Sequence, residues 1–226
     1  MNIGVTLTVN KSRFISSDLY VYQGTRQPYF PIGGPVPPVP KDGRVLSSSR
    51  WGGMEVGENM LYGVQVLDGQ IHEECGVELL KYLQSLPERS SVKDAAGQVV
   101  RCPVGIAVRS PAFGPLKSFF RSIVHTVAPF YGDLLWENKL TKCYINSFKL
   151  LWEEHKDEKV ATVLLGAGCR GIPISEAARV AAKACVLFSR SASCNRIPSQ
   201  QLHFVLREDD HCQLLCEHLE NECFRL

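Results

Sequence analysis

The chain has 226 residues, 45% of them hydrophobic and 21% charged, with 25 Lys+Arg against 23 Asp+Glu. That balance is close to a globular average and excludes a disordered, collagen-like or coiled-coil chain. The net charge of +2 comes without any block of like charge, which argues against a generic nucleic-acid binder, and no apolar run approaches the ~18 residues of a membrane span.

The first residues carry no basic segment and no long apolar core, so a signal peptide is not expected. Nine cysteines, an odd number, fit reduced thiols in a cytoplasmic or nuclear protein better than a disulfide framework. The last four residues, Cys223-Phe224-Arg225-Leu226, have the outline of a prenylation box. Arg225 stands where an aliphatic residue belongs, so a plain helix end is the simpler reading.

In chain order, Ile3 to Val9 alternates apolar and polar residues and reads as a strand, and Leu19 to Tyr22 as a second, short one. From Gly24 to Gly63 there are six prolines and eight glycines in 40 residues, which predicts an irregular loop at 24–63. Loops of that length inside a domain are functional or disordered. Ile71, Cys75, Leu79 and Tyr82 then recur at helical spacing, with Gly76 as a break, and residues 88–98 are polar with a turn at Gly97. Gly105 to Ser110 and Ser122 to Val127 read as strands, and Leu140, Cys143, Tyr144, Ser147 and Leu151 mark a helix over about 137–155. Val160 to Leu165 has the apolar run of a buried strand, and Ile174, Ala177, Ala178, Ala181, Cys185 and Phe188 mark the next helix. Gln201 to Leu206 is a strand, and Cys212, Leu215, Cys216, Leu219 and Cys223 mark the last helix.

This alternation predicts an α/β layered fold with a largely parallel sheet, and the 226 residues are read as a single domain. Ligands of such sheets sit beyond the carboxyl ends of the strands, which singles out loops 66–72 and 166–173. The second loop, Leu165-Gly166-Ala167-Gly168-Cys169-Arg170-Gly171-Ile172-Pro173, has three glycines in six residues and leads into an alanine-rich helix. Glycines let a backbone approach a ligand closely, and the free N–H groups of a helix start suit phosphate. The plainer alternative is a tight strand-to-helix turn. Residues 166–171 also spell G-x-G-x-x-G, but the acidic residue that a dinucleotide-binding fold needs about 20 positions on is missing from Phe188-Ser189-Arg190-Ser191.

Four segments in this order resemble the macro domain family, which binds ADP-ribose. Leu67-Asp68-Gly69-Gln70-Ile71-His72, with Cys75-Gly76-Val77-Glu78-Leu79 behind it, is similar to the family's Val-Asp-Gly-Ala-Ile-His and its helix. Cys102-Pro103-Val104-Gly105 is similar to Cys-Pro-Thr-Gly, and Val124-His125-Thr126-Val127-Ala128-Pro129 to His-Thr-Val-Gly-Pro. Leu165 to Pro173 stands where the family has its phosphate loop. The resemblance covers 66–219 well and 1–65 poorly. It implies a three-layer α/β/α sandwich around a mixed, mostly parallel sheet. It also implies ADP-ribose or ADP-ribosylated proteins as partners; beside it, no cofactor, no metal and no membrane are expected.

There are departures. The family's Asp-Ala-Ile-Val-Asn-Ala-Ala-Asn is Asp18-Leu19-Tyr20-Val21-Tyr22-Gln23-Gly24-Thr25 here, so both asparagines are gone. Asn10-Lys11-Ser12 falls where Gly-Asp-Ile meets the adenine, and Gly63-Val64-Gln65-Val66 replaces a polyglycine run. The diphosphate loop is kept, while the adenine and ribose ends are altered.

In hydrolytic members an aspartate activates water at the distal ribose, and Asp68 matches that position. Its structural alternative is a helix N-cap. The resemblance implies ligand contacts from Gly69, Gly166, Ala167, Gly168, Cys169, Arg170 and Gly171. Arg170 replaces an aromatic lid residue; it is a phosphate-gripping guanidinium or an exposed loop charge. Cys169 lies beside it near a helix start, where thiols are acidified, but reads more simply as a small core residue. His72, one turn beyond Asp68, reads as a helix histidine. His211, Cys212, Cys216 and His218 give only a weak metal signal, and a buried thiol stripe is the better account. Two functions stay open: an ADP-ribose-binding domain that removes ADP-ribose from proteins, and a non-catalytic interaction module that kept the fold and lost the ligand.

Overall fold

The computed structural model describes residues 6–11, 67–89, 99–154, 159–168, 170–191, 201–206 and 208–224. The strand expected at Leu19 to Tyr22, the loop at 24–63 and Cys169 lie outside these. In chain order the elements are β1 (Thr6–Lys11), α1 (Leu67–Ser85), β2 (Ala107–Pro111), β3 (Ser122–Thr126), α2 (Trp136–Phe148), β4 (Lys159–Thr162), α3 (Ile174–Ser189), β5 (Gln201–Leu206) and α4 (Asp209–Phe224). A 3-10 turn at Gly114–Ser118 precedes β3, and a π turn at Lys149–Glu154 extends α2. The chain divides into two compact units, Met1–Asp18 with Ala128–Leu226, and Leu19–Val127. The class is α/β.

The first unit is built on a parallel sheet in the order β1-β5-β4. The central strand, β5, alternates, and Leu202, Phe204 and Leu206 are all buried. Each such side chain contributes ~1.5–3 kcal/mol when fully withdrawn from water. Strand β4 pairs with β5 only from Lys159 to Thr162. The expected strand through Leu165 is therefore too long: the chain turns at Leu165–Gly166, and among the described residues no ladder partner follows Thr162.

Helix α3 packs against both α2 and α4. Its alanines at 177, 178, 181, 182 and 184 are all buried, and their small side chains allow the helices to approach closely. Phe148, Trp152 and Phe188 close the α2–α3 interface, with ring centroids 5.1 to 5.4 Å apart. At the outer edge, Arg179 reaches Glu137 with both terminal nitrogens at 3.2 and 3.1 Å, and Lys183 reaches the same carboxylate at 2.9 Å. These two cations hold the Glu137 carboxyl down at about 2.

On α4 the buried face is Leu215 and Leu219. Cys216 is exposed, and Cys212 and Cys223 are only half-buried, so the expected buried thiol stripe is wrong. The leucines carry the helix onto the core, and the cysteines flank them. No group of three His, Cys, Asp or Glu among the described residues fits a metal ion.

In the second unit α1 packs beside the antiparallel pair β2-β3, in which Val108 faces His125 and Ala107 faces Thr126. Cys75, Leu79 and Leu83 from α1 meet Val108 and Leu116 in a common core. Gly76 has φ 68° and ψ −160° inside α1 and kinks it, the break expected there. A Cβ at that φ is disfavoured, which is why glycine stands at the kink. Among the described residues no helix is long and apolar enough to cross a membrane.

Candidate functional site

The glycine loop of the first unit is held at its entry, its middle and its exit. At the entry the Leu165 N–H donates to the Tyr144 hydroxyl at 2.8 Å. In the middle the Tyr131 N–H donates to the Arg170 carbonyl at 2.9 Å. At the exit the Ile172 N–H donates to the Gly166 carbonyl at 3.1 Å, and the Gly171 N–H to the Gly168 carbonyl at 2.9 Å. These bonds tie the loop's described residues to one another, to Tyr131 and to α2.

The three glycines do not have the same cause. Gly166 has φ +79°, and a Cβ there would stand 2.5 Å from Ile172 Cδ1 and 3.3 Å from Ala128 Cβ. Both the backbone and the packing demand glycine. Gly168 is exposed, has no left-handed φ, and a Cβ there would meet nothing within 4 Å among the described residues. Among the described residues no hydrogen bond uses its N–H. Neither its φ nor any described neighbour accounts for glycine at 168. Ala167 is buried beneath the loop, and its N–H reaches the Leu164 carbonyl at 3.4 Å.

After the loop Pro173 takes the N-cap position of α3, with φ −55° and ψ 142° and no side-chain cap. Proline has no N–H to satisfy, and the following N–H groups point from the positive end of the helix dipole. Arg170 is 5% exposed, and its guanidinium carbon lies 4.3 Å from the centre of the Phe130 ring. The alternative of an exposed loop charge is therefore wrong. A cation on an aromatic face out of water is worth ~2 kcal/mol, so the pair ties the loop to the segment after Ala128.

Asp68 and Gly69 lie in the second unit. The structure begins α1 at Leu67, so the expected loop at 66–72 is helical from its second residue onward. Asp68 stands in the first turn rather than at the cap before it, because the apolar face of α1 already starts at Leu67, packed against the unit's core. His72, one turn on, is buried, and its ring lies 6.1 Å from that of His125. Ser110 Oγ is 2.9 Å from His125 Nε2. Burial pushes His72 down to about 4; burial and then the neighbouring His72 push His125 down to about 3. Both imidazoles are neutral at pH 7.

Two residues of this geometry escaped sequence reasoning as site residues. In the sequence Tyr144 reads only as one position of the helical period, although a buried tyrosine needs a partner for its hydroxyl. That need was the available signal. Phe130 carried no signal, since only the fold brings it to Arg170.

Comparison with known proteins bears on the family and the fold. The Macro domain family model matches residues 57–181, more than half of the chain. A macro domain-containing protein of Caldanaerobacter subterraneus subsp. tengcongensis is 28% identical over 151 residues, 66% of this chain and 76% of that protein. The Oceanobacillus iheyensis macrodomain with ADP has a TM-score of 0.59 at 23% identity, covering 81% of this chain and 88% of that one. A mutant of that macrodomain with ADPR has a TM-score of 0.57 at 26% identity, covering 75% of this chain and 81% of that one. The chain belongs to the macro domain family, whose members typically bind ADP-ribose.

Proposed function

We propose that the chain binds ADP-ribose or a related nucleoside diphosphate, and that loop Gly166 to Gly171 cradles the diphosphate. The observation that carries this reading is Gly168, a glycine that neither its φ nor any described neighbour requires, with an N–H that no described residue uses, at an exposed position. Backbone N–H groups at a helix start recognise phosphate without a change of charge on the protein. A macrodomain 26% identical to this chain has been solved with ADPR, which supports the ligand class. Arg170 then acts by fixing the loop against Phe130 from within rather than by reaching out from the surface.

The reading extends to catalysis. Asp68 in the first turn of α1 is the residue we assign to activating water at the distal ribose, so that water adds across the bond joining ADP-ribose to a protein side chain. The protein substrates are mono-ADP-ribosylated chains of the cytoplasm or nucleus. Calorimetric titration with ADP-ribose tests the binding claim. Release of ADP-ribose from a mono-ADP-ribosylated protein, compared between wild type and Asp68→Ala, tests the catalytic one. A wild type that binds nothing returns the chain to the other reading, an interaction module that kept the fold.

A further inference from the structure

We propose that Tyr144 is the positioning residue of the glycine loop: from the middle of α2 its hydroxyl fixes the peptide that leads into Gly166. This inference rests on the reading that the loop holds a diphosphate. The β4–β5 ladder ends at Thr162, paired with Phe204. Beyond that point the backbone has no ladder partner among the described residues, just where the chain leads into the loop. There the Tyr144 hydroxyl accepts from the Leu165 N–H at 2.8 Å and lies 3.4 Å from the Val163 carbonyl, to which it donates. One hydroxyl thus bonds the backbone on both sides of Leu164.

The position is built rather than incidental. Tyr144 is 1% exposed, and its ring packs against Phe148 and Phe204 with centroids 6.0 and 6.4 Å away. A buried hydroxyl is costly unless bonded, so a phenylalanine would serve packing alone at least as well. Burial holds the phenol far above its ordinary range, so it keeps its proton at any pH the protein meets. The donor to Val163 and the acceptor from Leu165 are both permanent. Leu165 directly precedes Gly166, whose own position leaves no room for a Cβ. A shift at Leu165 therefore moves the amides that would meet the ligand, while the aromatic packing beneath stays as it is.

The test uses the full chain with Tyr144→Phe, and Phe204→Leu as a variant that loosens the same cluster without removing the hydroxyl. In Tyr144→Phe, amide hydrogen exchange at Leu165 to Gly168 should quicken at least tenfold, while the amides of α3 keep their protection. Its Kd for ADP-ribose should rise about tenfold, and that of Phe204→Leu should stay within twofold of wild type under conditions where both are folded. Unchanged exchange at Leu165 in Tyr144→Phe, or an equal rise of Kd in Phe204→Leu, overturns the assignment. If the wild type binds no ADP-ribose, the diphosphate reading fails and the exchange result still decides the role of Tyr144. If Tyr144→Phe does not fold, the wild type decides alone. Its Leu165 amide must exchange at least tenfold more slowly than that of Gly168, and equal rates refute the role.

Discussion

Gly166 and Gly168 are two residues apart in one loop, and the structure assigns them opposite consequences when a side chain is added. In Gly166→Ala the new Cβ enters at φ +79° and lies 2.5 Å from Ile172 Cδ1. The left-handed backbone alone costs an alanine about 1–2 kcal/mol. Ile172 is fully buried, so its methyl has no solvent to swing into and must displace core, which costs about 1–3 kcal/mol more. The sum is about 2–5 kcal/mol. In Gly168→Val the Cβ meets nothing within 4 Å among the described residues, and the backbone is not left-handed. Its cost should stay within about 0.5 kcal/mol, as for an ordinary surface change. Urea unfolding, followed by tryptophan fluorescence and far-UV circular dichroism, separates the two. A loss of about 3 kcal/mol moves the midpoint by about 1–3 M, whereas Gly168→Val should leave it almost in place. Titration with ADP-ribose then gives the functional half: Gly168→Val folds like wild type and does not bind. A Gly168→Val protein destabilised by more than about 1 kcal/mol would mean that Gly168 has a structural cause after all. The inference from its glycine to a ligand would then fail.

Three further outcomes are expected. Asp68→Ala should stop release of ADP-ribose from mono-ADP-ribosylated protein at a stability cost of about 0.3–1 kcal/mol, the worth of an acidic residue in a first helical turn; turnover equal to wild type would remove Asp68 from the chemistry. The two buried histidines of the second unit hold folded pKa values of about 4 and 3, below the unfolded value of 6.5, so the unfolded chain takes up protons first as pH falls. Stability is therefore full above pH 6.5 and declines toward pH 4, by on the order of 3 kcal/mol for His72 alone, and His72→Gln should remove about half of the fall in urea midpoint between pH 7 and 4.5, His125 keeping the rest; a wild-type midpoint constant over that range contradicts the burial argument. Because the acidic adenine reader of the family is missing at Asn10-Lys11-Ser12, ADP-ribose and its inosine and guanosine analogues should bind within about tenfold, or 1.4 kcal/mol, in side-by-side titrations. A large preference for adenine would show that another residue reads the base.

What could be read before the structure was whatever depends on periodicity. Gln201 to Leu206 alternates so regularly that its buried face follows directly, and the alanine run of α3 marks a helix packed on two sides. The kink at Gly76 also follows from one residue's conformational freedom. What escaped depends on partners distant in sequence. The apolar run Val160 to Leu165 looks like a single strand, yet its last residues, Val163 and Leu165, bond to a tyrosine of α2. Arg170 reads as a phosphate-gripping guanidinium or an exposed loop charge because nothing in its own segment reveals Phe130 on its other side. Cys216 falls on the same helical period as the buried leucines, and the packing of α4, not the period, decides that the leucines face inward. The three loop glycines look alike in sequence and differ only once φ and neighbouring atoms are known.

The central claim is that the loop from Gly166 to Gly171 is a diphosphate site. Calorimetric titration of ADP-ribose into the wild type and Gly168→Val, both first shown to unfold at the same urea midpoint, tests it most directly. Saturable one-to-one binding in the wild type and none in the variant is the predicted result. Equal affinity in the two proteins, or no binding in either, would contradict it.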